Sequence, residues 1–104
     1  MSSHQVLDRR SLAFAEAIAA KIDADPTRAG LALARENCQR WLLEMPSPAI
    51  DEWRVLLEQD WSQVRAVLLQ ENDEGQRLRQ SSPFTGILSR EERREIIERF
   101  RCAV

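Results

Sequence analysis

Apolar residues recur at intervals of three and four along most of the chain, and this spacing predicts amphipathic helices. The stripes lie at residues 7–22, 31–42, 50–57, 61–68 and 96–100. A further helical turn or two is expected between Asn72 and Leu78, because Asn72 and Asp73 can cap it. No segment alternates with the period of a strand, and no Asn-Gly or Asp-Gly hairpin turn occurs. The pattern therefore predicts an all-α fold, a compact bundle of five or six short helices.

Residues typical of helix N-termini precede these stripes. The predicted N-caps are Asp8, Asp25, Ser47, Asp60, Asn72 and Ser89. Pro26 and Pro48 would take the first helical position, where a missing N–H costs nothing. Gln63 and Glu92 stand three residues after their caps and would complete capping boxes. On the last helix, oppositely charged residues at helical spacing are expected to form a solvated face; the pairs are Glu91–Arg94, Glu95–Arg99 and Glu98–Arg101.

The length and composition describe one small globular domain. The chain has 104 residues, of which 43% are apolar and 31% charged. We expect a single helical domain over residues 1–104, with a frayed N-terminus at about residues 1–6. No apolar run approaches the roughly 20 residues of a transmembrane helix, and no secretory signal is evident. Cys38 and Cys102 are too few for a disulfide framework, so we expect a cytoplasmic protein with reduced thiols and no membrane contact.

The charge is nearly balanced overall but unevenly distributed. The formal net charge is −2, which argues against a general nucleic-acid binder, because such proteins present a basic surface. Residues 46–74 carry seven acidic and two basic side chains, whereas residues 75–104 carry seven arginines and four glutamates. Lys21 is the only lysine. The excess of arginine has two interpretations: a GC-rich genome that favours arginine codons, or bidentate pairing with the carboxylates or phosphates of a partner.

The inventory of reactive side chains is small. His4 is the only histidine and lies near the terminus, so a Ser–His or Cys–His nucleophilic site is not expected. One histidine and two separated cysteines do not supply the four ligands of a zinc site. The acidic cluster at 72–75 lacks the register of a calcium loop, and no glycine-rich phosphate-binding motif occurs. The sequence therefore predicts a protein that is not an enzyme and has no catalytic residue, metal or cofactor.

The segment from Arg77 to Leu88 holds most of the candidate contact residues. Two arginines lead into a polar loop with a stiff Pro-Phe unit, and Ile87 and Leu88 follow Gly86. In one interpretation, Phe84, Ile87 and Leu88 close the end of this protein's own core. In the other, Phe84 fills a pocket of a partner while arginines pair with the partner's carboxylates. The candidate partner-binding residues are Arg77, Arg79, Ser81, Ser82, Pro83, Phe84 and Arg90.

The tryptophans allow the same two interpretations. Trp41, Trp53 and Trp61 each lie on a helical apolar stripe, which favours packing in the core. Tryptophan is also enriched among the residues that dominate binding at interfaces, so one of them could instead anchor a partner. Cys38 lies on the same stripe as Trp41 and is expected to act as a small hydrophobic side chain.

Several stretches resemble a family of small bacterial proteins associated with toxin–antitoxin operons. They are LDRRSLA at 7–13, ARENCQRW at 34–41, Glu52-Trp53, LRQSSPFTGIL at 78–88, and Glu91-Glu92-Arg93. The resemblance implies a helical antitoxin that binds and neutralises a larger co-expressed toxin and has no chemistry of its own. It would place the contact at residues 81–86 and the flanking arginines. Many antitoxins wrap the toxin with a long disordered tail, and this chain departs from that pattern because its helical periodicity extends along most of its length.

Two other functions remain open. The chain could be a small transcriptional regulator that binds its own promoter, although Ala66 and Gly75 are too far apart for a helix-turn-helix. The glutamates of the last helix would also repel phosphates, so nucleic acid is not the expected partner. The third hypothesis is a self-associating homodimer that has no toxin.

Overall fold

The computed structural model describes residues 3–101, with side chains from residue 8 onward. It contains six helices: α1 (Ser3–Asp23), α2 (Ala29–Glu44), α3 (Pro48–Leu56), α4 (Trp61–Leu68), α5 (Asp73–Arg79) and α6 (Arg90–Arg101). Within this range no strand occurs, which confirms the prediction of an all-α bundle of short helices. Among the described residues, no helical segment combines the length and hydrophobicity that a membrane span requires. Residues 1–2 of the predicted frayed terminus, the side chain of His4, and Cys102 lie outside the description.

The core forms around Trp53 of α3. Helices α2 and α3 pack as a hairpin, and α1 contacts α2, α4, α5 and α6. Trp53 has no exposed surface, and its indole Nε1–H donates to the carbonyl oxygen of Leu78 at 2.8 Å. The Phe84 ring meets Trp53 edge-to-face at 5.7 Å between centroids. Trp41 and Trp61 are only partly buried and pack at the margin of this core.

Cys38 behaves as predicted for a small hydrophobic side chain. It is buried in the core, and its thiol donates to the carbonyl oxygen of Ile50 at 3.4 Å. Burial raises the pKa of the thiol, so the reactive thiolate form is disfavoured.

Three of the predicted N-caps form as written. The Ser47 hydroxyl accepts from the Ile50 N–H at 3.2 Å, and Pro48 follows at the first helical position. Asn72 caps α5 through the Gly75 N–H. Ser89 and Glu92 form a complete capping box, with reciprocal bonds of 2.7 and 3.1 Å. These caps involve contacts within four residues, which is why the local sequence suffices to predict them.

The other predicted helix starts were wrong or incomplete. Helix α1 begins at Ser3, five residues before the proposed Asp8 cap. Asp60 is the N-cap of α4, but its side chain makes no capping bond. Pro26 is not helical, and α2 begins at Ala29 instead.

Arg28 explains why the second helix starts late. Asp25 accepts from the N–H groups of Thr27 and Ala29, so the chain turns once more before α2. Arg28 then adopts a left-handed conformation with φ 53°. Its guanidinium donates to the carbonyls of Ile22 and Asp23, which end α1, at 2.7 and 3.0 Å. Those bonds help to hold a conformation that is unfavourable for a side chain with a Cβ.

Candidate functional site: an arginine-lined cleft

The predicted contact loop forms part of the protein's own core. Phe84 is 2% exposed, and Pro83 is among the most deeply buried side chains. The loop is fastened from α2, because the Asn37 side-chain amide donates to the carbonyls of Pro83 and Thr85 at 2.9 and 3.1 Å. Phe84 thus fills this protein's interior, in agreement with the first of the two interpretations, in which it closes the end of the core. It does not project from the surface as an anchor for a partner. The reason is the apolar surface of Trp53, which the ring covers.

Arg79 is also an interior residue, although the sequence placed it at the surface. Its side chain is 2% exposed, and Nη1 donates to the carbonyl oxygens of Leu68 at 3.1 Å and Gln70 at 2.6 Å. Nη2 lies 3.4 Å from a carboxylate oxygen of Asp8. Because Leu68 ends α4, Arg79 satisfies carbonyl groups that the helix leaves without partners. The Nε–H of Arg79 has no hydrogen-bond partner among the described residues.

Arg77 is on the surface, but its charge is already matched. Its guanidinium forms a two-pronged bond to Glu52 of α3, at 2.7 and 2.9 Å, and another bond to Glu74 at 2.8 Å. These hydrogen bonds hold the pKa of both carboxyl groups below the usual range. Arg77 therefore links α5 to α3, and a partner would have to compete with two carboxylates for it.

The two serines and Arg90 complete the set of predicted residues. Ser81 and Ser82 are half-buried, and the Ser82 hydroxyl accepts from the Phe84 N–H at 3.3 Å. Arg90 is exposed at the first turn of α6. The predicted residues do not form one continuous surface, because Arg77 is engaged on α3 and Arg79, Pro83 and Phe84 are buried.

A cleft of about 380 Å³ opens between α1, the α5–α6 loop and α6. Its apolar lining comes from Phe14, Ala15, Ile18, Leu68 and Phe84. Its polar lining comes from Arg10, Ser11, Arg79, Gln80, Ser82, Thr85 and Arg93. Three of the predicted residues, Arg79, Ser82 and Phe84, thus belong to this one feature.

Two guanidinium groups lie over the Phe14 ring at the cleft. The Cζ atoms of Arg10 and Arg93 are 6.0 and 5.0 Å from its centroid, within the range of cation–π attraction. Among the described residues, neither arginine has a carboxylate within 4.0 Å. The candidate contact residues predicted from the sequence did not include Arg10, Phe14 or Arg93, because only the packing of α6 against α1 brings these three together.

A shallow groove continues from the cleft along α6. It has a volume of about 510 Å³, and Arg93 lines both the cleft and the groove. The other lining residues are Arg90, Arg94, Ile97, Glu98 and Arg101. Of the three pairs predicted on α6, only Glu98–Arg101 is within salt-bridge distance, at 3.3 Å. We call Arg10, Arg90, Arg93 and Arg94 the arginine face; within the described structure, none of these four forms an ion pair.

The described side chains bring together no group of three or more metal-ligating residues. In comparisons with family models, curated proteins and solved structures, the chain has no significant match.

Proposed function

We propose that this protein acts by binding another protein, as an antitoxin-like partner that neutralises a co-expressed toxin. The observation that supports this most is the arginine face: four guanidinium groups on α1 and α6 that make no ion pair with any described residue. Guanidinium groups pair bidentately with carboxylates and are enriched at the residues that dominate binding energy. The expected partner surface is therefore acidic.

The position of the face favours binding without rearrangement. Arg90, Arg93 and Arg94 lie on one helix, and the Ser89–Glu92 capping box and the Lys21–Glu92 ion pair, at 2.7 Å, fix the first turn of that helix. A helix backbone that is fixed before association loses less conformational entropy when it binds. Neutralisation would follow if the bound protein covered the toxin's active site, and the antitoxin would need no chemistry of its own.

Co-expression with the product of the adjacent gene tests this proposal. The wild-type chain should restore the growth of cells that express the toxin, and the two proteins should co-purify. The double substitution Arg90→Glu with Arg93→Glu should abolish both effects, because like charges across an interface repel. Arg54→Glu is the matched control, since Arg54 is an exposed arginine on α3 that lines neither the cleft nor the groove. Full rescue by the double variant would refute the proposed contact.

Two further measurements test the other two hypotheses. Unpaired arginines also bind phosphates, so a transcriptional regulator would bind its own promoter DNA with affinity that falls steeply as salt rises. Glu91, Glu95 and Glu98 on α6 oppose that mode. Promoter binding that the double variant loses, without any effect on growth, would favour the regulator. Size-exclusion chromatography of the isolated chain tests the homodimer.

A further inference from the structure

We propose that the cleft between α1, the α5–α6 loop and α6 is a binding site for a small organic anion. The ligand class is an acid with a carboxylate or phosphate head group and a compact apolar body. This ligand is distinct from the protein partner of the arginine face, although both would contact Arg10 and Arg93.

The size and lining of the cleft fit such a ligand. A volume of about 380 Å³ lies within the range of about 300–1,000 Å³ that is typical of small-molecule sites. The apolar lining comes from α1, from Leu68 of α4 and from Phe84 of the α5–α6 loop, which lies in the core beside Trp53. An apolar body would cover this surface and exclude water from it.

The polar groups of the cleft select for negative charge. Arg10, Arg79 and Arg93 all line it, and no lysine or carboxylate is among its lining residues. The Ser11 and Ser82 side chains add hydroxyl groups that can donate to an oxygen atom. Three arginines beside hydroxyl donors match the oxygen-rich head group of a carboxylate or phosphate.

Arg79 supplies an independent reason to expect a ligand. Buried polar atoms nearly always have hydrogen-bond partners. The Nε–H of Arg79 has none, and it is the one buried side-chain N or O atom in the described structure that lacks one. Nη1 is held by two backbone carbonyls, whereas Nη2 has only the long 3.4 Å contact with Asp8. Because this side chain lines the cleft, a ligand oxygen is an acceptor that could come from outside the chain.

Binding can be tested by NMR with ¹⁵N-labelled protein and four defined probes. Phenyl phosphate and benzoate carry an acidic head and an apolar ring, phenol has the ring without the charge, and inorganic phosphate has the charge without the ring. At least one of the two acids should shift the Arg79 Nε–H and Ser82 amide signals saturably, with a Kd below about 1 mM. Which acid binds more tightly identifies the head group. Phenol and inorganic phosphate should each bind at least about tenfold more weakly.

Either of two results would overturn the site: no saturable shift with both acids, or binding of phenol as tight as that of the acids. The neutral probe distinguishes an anion site from a generic apolar crevice.

Matched variants locate the site. Arg10→Gln and Arg93→Gln should each raise the Kd of the bound acid about tenfold, because each removes a charge from the cleft. Arg54→Gln on α3 should leave the Kd unchanged. Circular dichroism confirms that each variant is folded, and equal Kd values for Arg93→Gln and wild type would contradict the assignment. No toxin is involved in this test, so its failure would leave the proposed antitoxin function standing. Failure of the co-expression test would likewise leave the proposed anion site standing.

Discussion

Two groups of arginines in this small domain have opposite environments. Arg77 and Arg79 on α5 are engaged by carboxylates and backbone carbonyls, and they tie α5 to α3 and α4. Arg10, Arg93 and their neighbours on the arginine face are exposed. Arg10 and Arg93 lie within cation–π distance of Phe14, and none of the four forms an ion pair with a described residue. The first group contributes to the fold, whereas the second retains hydrogen-bonding capacity for another molecule. Substitutions should therefore separate stability from binding.

The largest effect is expected at Phe84, which lies under the cleft and in the core. Phe84→Ala should lower the free energy of unfolding by about 3–5 kcal/mol, because it removes a buried ring and leaves a cavity beside Trp53. Chemical denaturation followed by tryptophan fluorescence measures it. Val55→Ala is the control, since Val55 is 48% exposed and should cost less than about 1 kcal/mol. A loss of partner binding without a loss of stability would instead support the exposed-anchor interpretation of Phe84.

The second prediction compares the two groups of arginines directly. Arg79→Met should lower the free energy of unfolding by about 2–4 kcal/mol, because the carbonyls of Leu68 and Gln70 lose their donor. Arg93→Met should cost less than about 1 kcal/mol, the scale of an exposed cation–π contact. Urea denaturation of both variants gives the difference. Equal losses would show that the arginine face is also structural.

Charge reversal at the surface should have a smaller effect. Arg77→Glu would place a third carboxylate beside Glu52 and Glu74, so its melting temperature should fall below that of Arg93→Glu. Differential scanning calorimetry at low and high salt tests this, and the gap should narrow in high salt because the repulsion is screened. A gap that salt does not change would point to a packing defect.

The sequence predicted those features that depend on neighbouring residues. The all-α class follows from apolar spacing, and the caps at Ser47, Asn72 and Ser89 follow from bonds that span three residues. The late start of α2 was missed, because it depends on Arg28 reaching back to the end of α1. The spacing of apolar and polar residues within a helix does not predict a side-chain contact with another helix.

The candidate site was only partly predictable for the same reason. The sequence placed most candidate contact residues between Arg77 and Leu88, and three of them, Arg79, Ser82 and Phe84, line the cleft; that they contact a partner stays a prediction. The burial of Phe84 was one of the two interpretations that the sequence left open. The burial of Arg79 was not predicted, since an arginine is seldom interior unless carbonyls such as those of Leu68 and Gln70 receive it. Arg10 and Arg93 are 83 positions apart in the sequence, and only the packing of α1 on α6 makes them neighbours.

The smallest expected effect concerns Glu92, the paired carboxylate at the start of the arginine-rich helix. A hydrogen bond from Lys21, together with the Ser89 N–H and hydroxyl, lowers its pKa from 4.5 to about 2. Because the folded-state pKa is depressed, the stabilisation is present above about pH 4.5 and is lost as the pH falls toward 2. Glu92→Gln should therefore melt slightly below wild type at neutral pH, and the difference should shrink across that window. Thermal denaturation of both proteins at several pH values measures it. If the gap in melting temperature between the two proteins stays constant down to about pH 2, the charge of Glu92 is not its cause. The gap would then come from the part of the capping geometry that glutamine does not reproduce.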